Sequence, residues 1–317
     1  MAESRKIQFV GNSTFIVSLP KKWVLKSNLK EKSELFLNEL STGELILSPK
    51  ISEISSFSRI ELNADELGLK VFQSVFSAFY LGFERIKIFS NKEMSHAMRA
   101  ELKETLRHLS GAEIVSESPK EITLRVFHDK TKIELNQLLS RTGLVLSDLI
   151  HNCLERKKLD EIKRDEDELD RLYHLSAKII TLSQVDFNIL NSSGIKKNLL
   201  IVPYFLVAKR LENLGDSIEN IALNVIEGKV SSAEIKPLLF FFESEIMKCV
   251  KALTAEKDNL FCVMAKEKEK ETEKLISKTS VKVKDRLLGM LKYLVDIQEE
   301  IVIINFYKKL MKEKLYE

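Results

Sequence analysis

Cysteine, proline, tryptophan and uncompensated charge are all scarce in this 317-residue chain. The three cysteines, Cys153, Cys249 and Cys262, lie far apart and match no paired metal or redox spacing. They are expected as buried thiols in a reducing compartment. The most apolar run, Leu199 to Ala208, is broken by Pro203 and is too short to span a bilayer, which argues against an integral membrane protein. Met1 to Lys6 lead directly into a strand-like alternation, with no signal peptide ahead of it, so a cytoplasmic location is expected. No phosphate-cradling glycine loop occurs, and the formal net charge of +3 does not declare a general polyanion binder. No histidine stands at Glu-x-x-His spacing from the carboxylates and no nucleophile–base pair is visible, so a di-metal enzyme ranks low and a non-enzymatic role is expected.

The length calls for two or three domains. Charge is unevenly placed within it: Arg5, Lys6, Lys21, Lys22, Lys26 and Lys30 face Glu3 alone over residues 1–30, which makes a basic arm or face. The same region carries short β signals. Ile7 to Val10 and Phe15 to Leu19 are strand-length runs separated by the turn residues Gly11-Asn12-Ser13. Pro20 then opens a short basic helix through Lys26. Glu34 to Leu37 and Glu44 to Leu47 make a second strand pair around Ser41-Thr42-Gly43. Two hairpins of this size bury too little to fold alone, so a homodimer through this domain is expected.

The pattern Lys6-Ile-Gln, Gly11-Asn-Ser, Ile16-Val-Ser-Leu-Pro-Lys-Lys-Trp-Val24 and the strand before Pro49 resembles the swapped-hairpin domain of AbrB-type DNA-binding regulators, over about the first fifty residues. The resemblance implies intertwined chains and a basic face that docks on DNA, carried here by Arg5, Lys6, Lys21 and Lys22. Glu31-Lys32-Ser33 stands where that family has a glycine after the short helix.

Residues 51–57 are serine-rich and read as a linker. Strand Arg59–Leu62, helix Leu67–Leu81, strand Glu84–Phe89, helix Lys92–Leu109 and a hairpin of Ala112–Ser116 with Glu121–Phe127 predict a small βαβαββ unit. Gly68 is expected within a helix, and His96 and His108 are expected on the surface. From Lys130 the strand signals stop. Helical patterns cover about 131–156, 159–182, 198–227, 231–254, 257–277 and 281–314, with breaks that allow two related three-helix bundles.

Tyr204, Ala208, Leu211, Gly215, Ile218, Ala222 and Val225 recur at helical spacing and predict one packed face. Beside them Glu212 and Asp216 stand one turn apart and repel unless a cation intervenes. Gly215, which costs about 1 kcal/mol relative to alanine inside a helix, marks a close approach. The preceding long helix carries Glu166 and Asp170 at the same spacing, and two such pairs on adjacent helices make an oxygen-rich environment for a divalent cation. Asn220 is a further candidate ligand and His174, one turn after Asp170, a candidate outer participant. Against this, acidic residues at 165–168 at a helix N-terminus would be favoured by the macrodipole alone.

Leu211-Glu-Asn-Leu-Gly-Asp-Ser-Ile-Glu-Asn-Ile-Ala222 resembles the signature helix of the PhoU family of phosphate-uptake regulators, and the upstream Glu-Leu-Asp-Arg-Leu-Tyr173 run resembles its matching acidic helix. The resemblance covers most of residues 130–314. It implies a metal cluster of iron, zinc, nickel or manganese on Glu166, Asp170, Glu212, Asp216 and Asn220, restraint of phosphate uptake or its signalling, and a transporter ATPase or sensor kinase as partner. Asn213 and Ser217 depart from the family's arginine and histidine. In the second copy Asp296 is kept, but Lys292 takes the glutamate position and the acidic helix is interleaved with lysine at 266–271, so one competent site is expected, in the first bundle.

The sequence thus predicts a multidomain α+β protein: an AbrB-like swapped-hairpin β domain (1–50), a small α/β domain (58–128), and a PhoU-like pair of three-helix bundles (130–228 and 229–317). The expected function is metal-dependent regulation of phosphate uptake with DNA binding by the N-terminal domain. The alternative is an AbrB-type transcriptional regulator whose helical body is a sensor or scaffold.

Overall fold

The structure, a computed structural model, describes residues 4–11, 13–39, 45–49, 58–127, 132–254 and 263–313. Asn12, the expected turn at Ser41-Thr42-Gly43, the serine-rich stretch at 51–57 and Cys262 lie outside the described residues. The chain divides into two units, Met1–Ser55 and Ser56–Glu317.

In the first unit, β1 (Gln8–Val10) pairs antiparallel with β2 (Thr14–Ile16), setting Phe9 opposite Phe15 with ring centroids 5.0 Å apart. Gly11 turns between them at φ 63°. Pro20 caps the basic helix α1 (Lys21–Lys26), and β3 (Phe36–Glu39) pairs antiparallel with β4 (Leu45–Ser48). None of the described residues of this unit is buried. Ile7, Phe9 and Phe15 are 71%, 58% and 72% exposed, so the described residues of the unit present apolar faces without a core among themselves to close over them.

Lys32 occupies the left-handed region at φ 68°, in a turn closed by the Ser33 amide donating to the Lys30 carbonyl at 3.0 Å. This is the conformation glycine adopts without steric penalty, and an L side chain there is strained by about 1 kcal/mol. Lys32→Gly is expected to stabilise the unit by about 0.5–1 kcal/mol. Trp23, the chain's single tryptophan, lies in α1 and reports on this unit alone, so a thermal melt followed by its fluorescence checks the shift.

The second unit begins with a four-stranded sheet in the order β5-β6-β8-β7, formed by β5 (Arg59–Asn63), β6 (Arg85–Phe89), β7 (Ala112–Ser118) and β8 (Glu121–Val126). β5 and β6 are parallel, which requires the crossover made by α2 (Ala64–Leu67) and α3 (Lys70–Tyr80). The single helix expected from Leu67 is broken, because Gly68 takes φ 53° and ends α2. Val71, Val75 and Phe79 of α3 and Leu102 of α4 (His96–Arg107) close the core with Ile86, Ile88, Ile122 and Leu124 from the sheet.

The helical body comprises α5 (Leu135–Leu154), α6 (Leu159–Ser183), a short α7 (Phe187–Ser192), α8 (Ile201–Ile226), α9 (Ser232–Thr254), α10 (Lys266–Ser277) and α11 (Val281–Glu313). The sequence pattern did not anticipate α7, whose six residues are too few to show a helical period; Asp186 caps it by accepting from the Asn188 and Ile189 amides. The described part of α10 begins at Lys266 after an extended Ala265, later than the expected 257. The stripe Tyr204, Ala208, Leu211, Ile218, Ala222 and Val225 is buried throughout. α8 packs against α11 and α5 against α9, so the two helical triplets share one continuous core. Among the described residues no helix is long and apolar enough to cross a membrane.

Candidate metal centre

α6 opens at Leu159, so Asp160 and Glu161 fill the first turn where acidic side chains complement the helix dipole. Glu166, Asp167 and Asp170 follow beyond that turn, where the effect has faded, and the dipole does not account for them. Glu166 and Asp170 lie on the side of α6 that meets α8, and Asp216 of α8 comes opposite. One carboxylate oxygen from each of the three lies within 4.8 Å of the others.

Gly215 permits this approach. A Cβ at that position would stand 2.6 Å from Leu169 Cδ1 on α6 and 3.7 Å from Leu146 Cδ2 on α5. Gly215→Val is therefore expected to lose about 3 kcal/mol of stability through overpacking and to weaken metal uptake. Leu169→Ala in the same chain should recover part of that loss in a denaturant titration, because it removes the clashing methyl group.

Of the five candidate ligands, three converge. Glu212 is drawn aside by Lys209, whose Nζ donates to Glu212 Oε2 at 2.7 Å while lying 4.7 Å from the centre of the Tyr173 ring. Asn220 follows Asp216 by one turn of α8, and its main-chain carbonyl accepts from Asn224. Glu219 was missed because it follows Asp216 by three residues where the motif steps by four, yet its charge is felt at Glu166.

Burial pushes the Glu166 carboxyl up to about 8, and the neighbouring charges of Asp170, Glu219, Asp167 and Asp216 add to the effect. Asp216 can be reached from solvent on one side; partial burial and Asp170 nonetheless raise it. Burial and Asp216 raise Glu219 as well. Among the described residues no ammonium or guanidinium pairs with Glu166, Asp167, Asp216 or Glu219. Lys209 and Arg286 act on Asp216, and Lys163 on Glu219, without pairing with them, so burial and mutual repulsion still dominate. Such a crowded carboxylate group fits a hard divalent or trivalent ion entering from the Asp216 side.

The acidic segment of α6 is also where the α/β domain docks. His108, at the end of α4, is half-buried rather than on the surface, because that end of α4 sits against α6; its Nδ1 lies 3.1 Å from Asp170 Oδ2. His174 is taken up by α3: it is hydrogen-bonded to the Tyr80 hydroxyl and stacks on Phe76 at 4.5 Å between ring centres. Burial holds its imidazole down to about 4, so it is neutral at ordinary pH. The buried Lys178 Nζ lies 4.0 Å from the centre of the Phe79 ring. His96 is exposed.

In the second triplet Asp296 and Glu245 are matched by cations, while the Glu300 carboxyl is raised by burial and by Glu299 and Asp296. Asp296 pairs with Arg210 of α8 at 2.9 Å, and the guanidinium lies 5.2 Å from the Tyr293 ring centre. Buried Glu245 accepts from Lys248, Lys268 and Gln298. Lys292 is exposed. Groups able to hold a metal occur, among the described residues, only on α4, α6 and α8. In the N-terminal unit, Arg5, Lys6, Lys21 and Lys22 are all exposed, and α1 has no acidic residue in its first turn to offset Lys21 and Lys22.

Residues 8–55 match the family model described as antidote-toxin recognition MazE, bacterial antitoxin. No curated protein and no solved structure matches the chain. The N-terminal unit is thus a MazE/AbrB-like domain.

Proposed function

We propose that this chain is a metal-binding regulator of phosphate uptake, built as a MazE/AbrB-like dimerisation head joined to a PhoU-like helical body. The observation that carries the reading is the convergence of Glu166, Asp170 and Asp216 from the two helices bearing the PhoU-like motifs, with Gly215 at the close approach between them. A bound cation would supply the positive charge that relieves their repulsion. The oxygen donors suit iron or manganese best, with zinc and nickel as competitors. Glu212, held by Lys209, stands outside the trio, and Asn220 and Glu219 on the same helix are further candidate ligands.

The protein acts by binding rather than by turnover. Metal occupancy fixes α6 against α8, and through the contacts of α6 with α3 and α4 it sets the surface offered to a transporter ATPase or sensor kinase on the cytoplasmic side, restraining phosphate entry. The test is phosphate uptake in cells carrying the wild-type chain or the Glu166→Gln/Asp216→Asn chain. The double substitution should leave uptake unrestrained at high external phosphate; unchanged restraint would refute the reading.

A second reading, direct transcriptional control with the body as sensor or scaffold, is favoured by the MazE/AbrB-like head and its exposed cations. Binding to promoter DNA should weaken steeply with salt, since each neutralised phosphate releases counterions, and a dimer doubles the number of contacts. Lys21→Ala/Lys22→Ala should flatten that salt dependence in a fluorescence-anisotropy titration. Equal affinity of both proteins at all salt concentrations would count against DNA contact through α1.

A further inference from the structure

We propose that His108 is a metal ligand, and that with Glu104 and Asp167 it forms a second, histidine-containing site beside the carboxylate trio, shared between the α/β domain and the helical body. Glu104 and His108 are four residues apart at the end of α4, and Asp167 reaches them from α6. One donor atom from each lies within 4.8 Å of the others. Two carboxylates and an imidazole from two elements are a different donor set from the all-oxygen trio.

Two independent observations point to a cation there. The His108 Nδ1 is sealed from solvent and, although 3.1 Å from Asp170 Oδ2, makes no hydrogen bond, so a buried polar atom is left that an ion would satisfy. Asp167, moreover, has no cationic partner among the described residues and lies past the reach of the helix dipole. Glu104 does pair with Arg107, at 3.2 Å, but that pair is exposed and holds its carboxylate weakly. Its exposure provides the entry path. The imidazole selects for borderline divalent transition metals, zinc, iron(II), cobalt or nickel, over magnesium and calcium.

The experiment uses the full chain, stripped with chelator and reloaded with Co²⁺ for counting by equilibrium dialysis and with Cu²⁺ for pulsed EPR. The wild type should bind one more Co²⁺ per chain than His108→Gln or Glu104→Gln, and an imidazole nitrogen coupling should vanish in His108→Gln. Glu104 is exposed, so its variant tests the site without a risk to folding. Asp216→Asn removes a trio ligand without altering His108, Glu104 or Asp167: loss of the His108-dependent ion only in the His108 and Glu104 variants upholds the proposal whether or not the trio fills. Equal counts and equal nitrogen coupling in wild type, His108→Gln and Glu104→Gln would overturn it.

Discussion

Asp216→Asn is expected to raise the melting temperature of metal-free protein at pH 8 and to lower that of metal-loaded protein. The sign follows from linkage. Glu166 has an ordinary value near 4.5 and is held at about 8 in the fold, so the folded state keeps a proton that the unfolded chain releases. The folded state therefore binds more protons between those values, and stability falls as pH rises through the window. Removing the Asp216 charge relieves part of that repulsion, so the apo variant gains where the wild type is weakest. A metal ion reverses the balance: at about 1,000 times its dissociation constant it adds about 4 kcal/mol, on the order of 10 °C for a unit of this size. The gain should be larger at pH 8 than at pH 5.5, where protons compete for Glu166. Thermal scans with chelator and with added manganese, iron or zinc at the two pH values measure all of this. A melting temperature indifferent to both metal and pH would sink the account of the trio.

Phe15→Asp is expected to abolish the proposed dimer and to unfold the N-terminal unit while leaving the second unit intact. Ile7, Phe9, Phe15 and Leu37 are each more than half exposed within one chain, and full burial of such a side chain is worth about 1.5–3 kcal/mol. Two three- to four-residue strand pairs without a core do not stand alone, and the proposed dimerisation would supply the free energy that orders them. A charge placed on that face at Phe15 should cost several kcal/mol of association. Sedimentation velocity gives the oligomeric state, Trp23 emission the head, and helical circular dichroism the body. A variant that stays dimeric with unchanged Trp23 emission would show that this face is not the dimer surface.

The long helices of the body were readable because their apolar positions recur over many turns, as in the buried face of α8 from Tyr204 to Val225. Gly215 was readable as a close approach because a glycine inside a long helix lacks a local reason, and Leu169 supplies the reason. Shorter features escaped: α7 spans too few residues for a period, and Gly68 breaks its helix through a positive φ that spacing does not encode. At the site, spacing showed which residues share a helix face but not how each side chain turns. Glu212 shares a face with Asp216, yet Lys209 one turn earlier captures it, while Glu219 contributes charge from a position the motif skips. His108 was misjudged as a surface residue because its partner, Asp170, is on a helix in another part of the chain, and such contacts leave no local signature. The lysines interleaved at 266–271 were legible in the second triplet, but that Lys268 would pair with the buried Glu245 of α9 was not, because that contact joins two helices.

The central claim, that Glu166, Asp170 and Asp216 hold a metal ion, is tested most directly by elemental analysis of the purified full chain beside its Glu166→Gln/Asp216→Asn variant, after both are exposed to iron, manganese, zinc and nickel and then desalted. The account predicts that the wild type retains metal in stoichiometric amount and that the variant loses the ion held between α6 and α8. Equal metal content in the two proteins, or none in either, would contradict it.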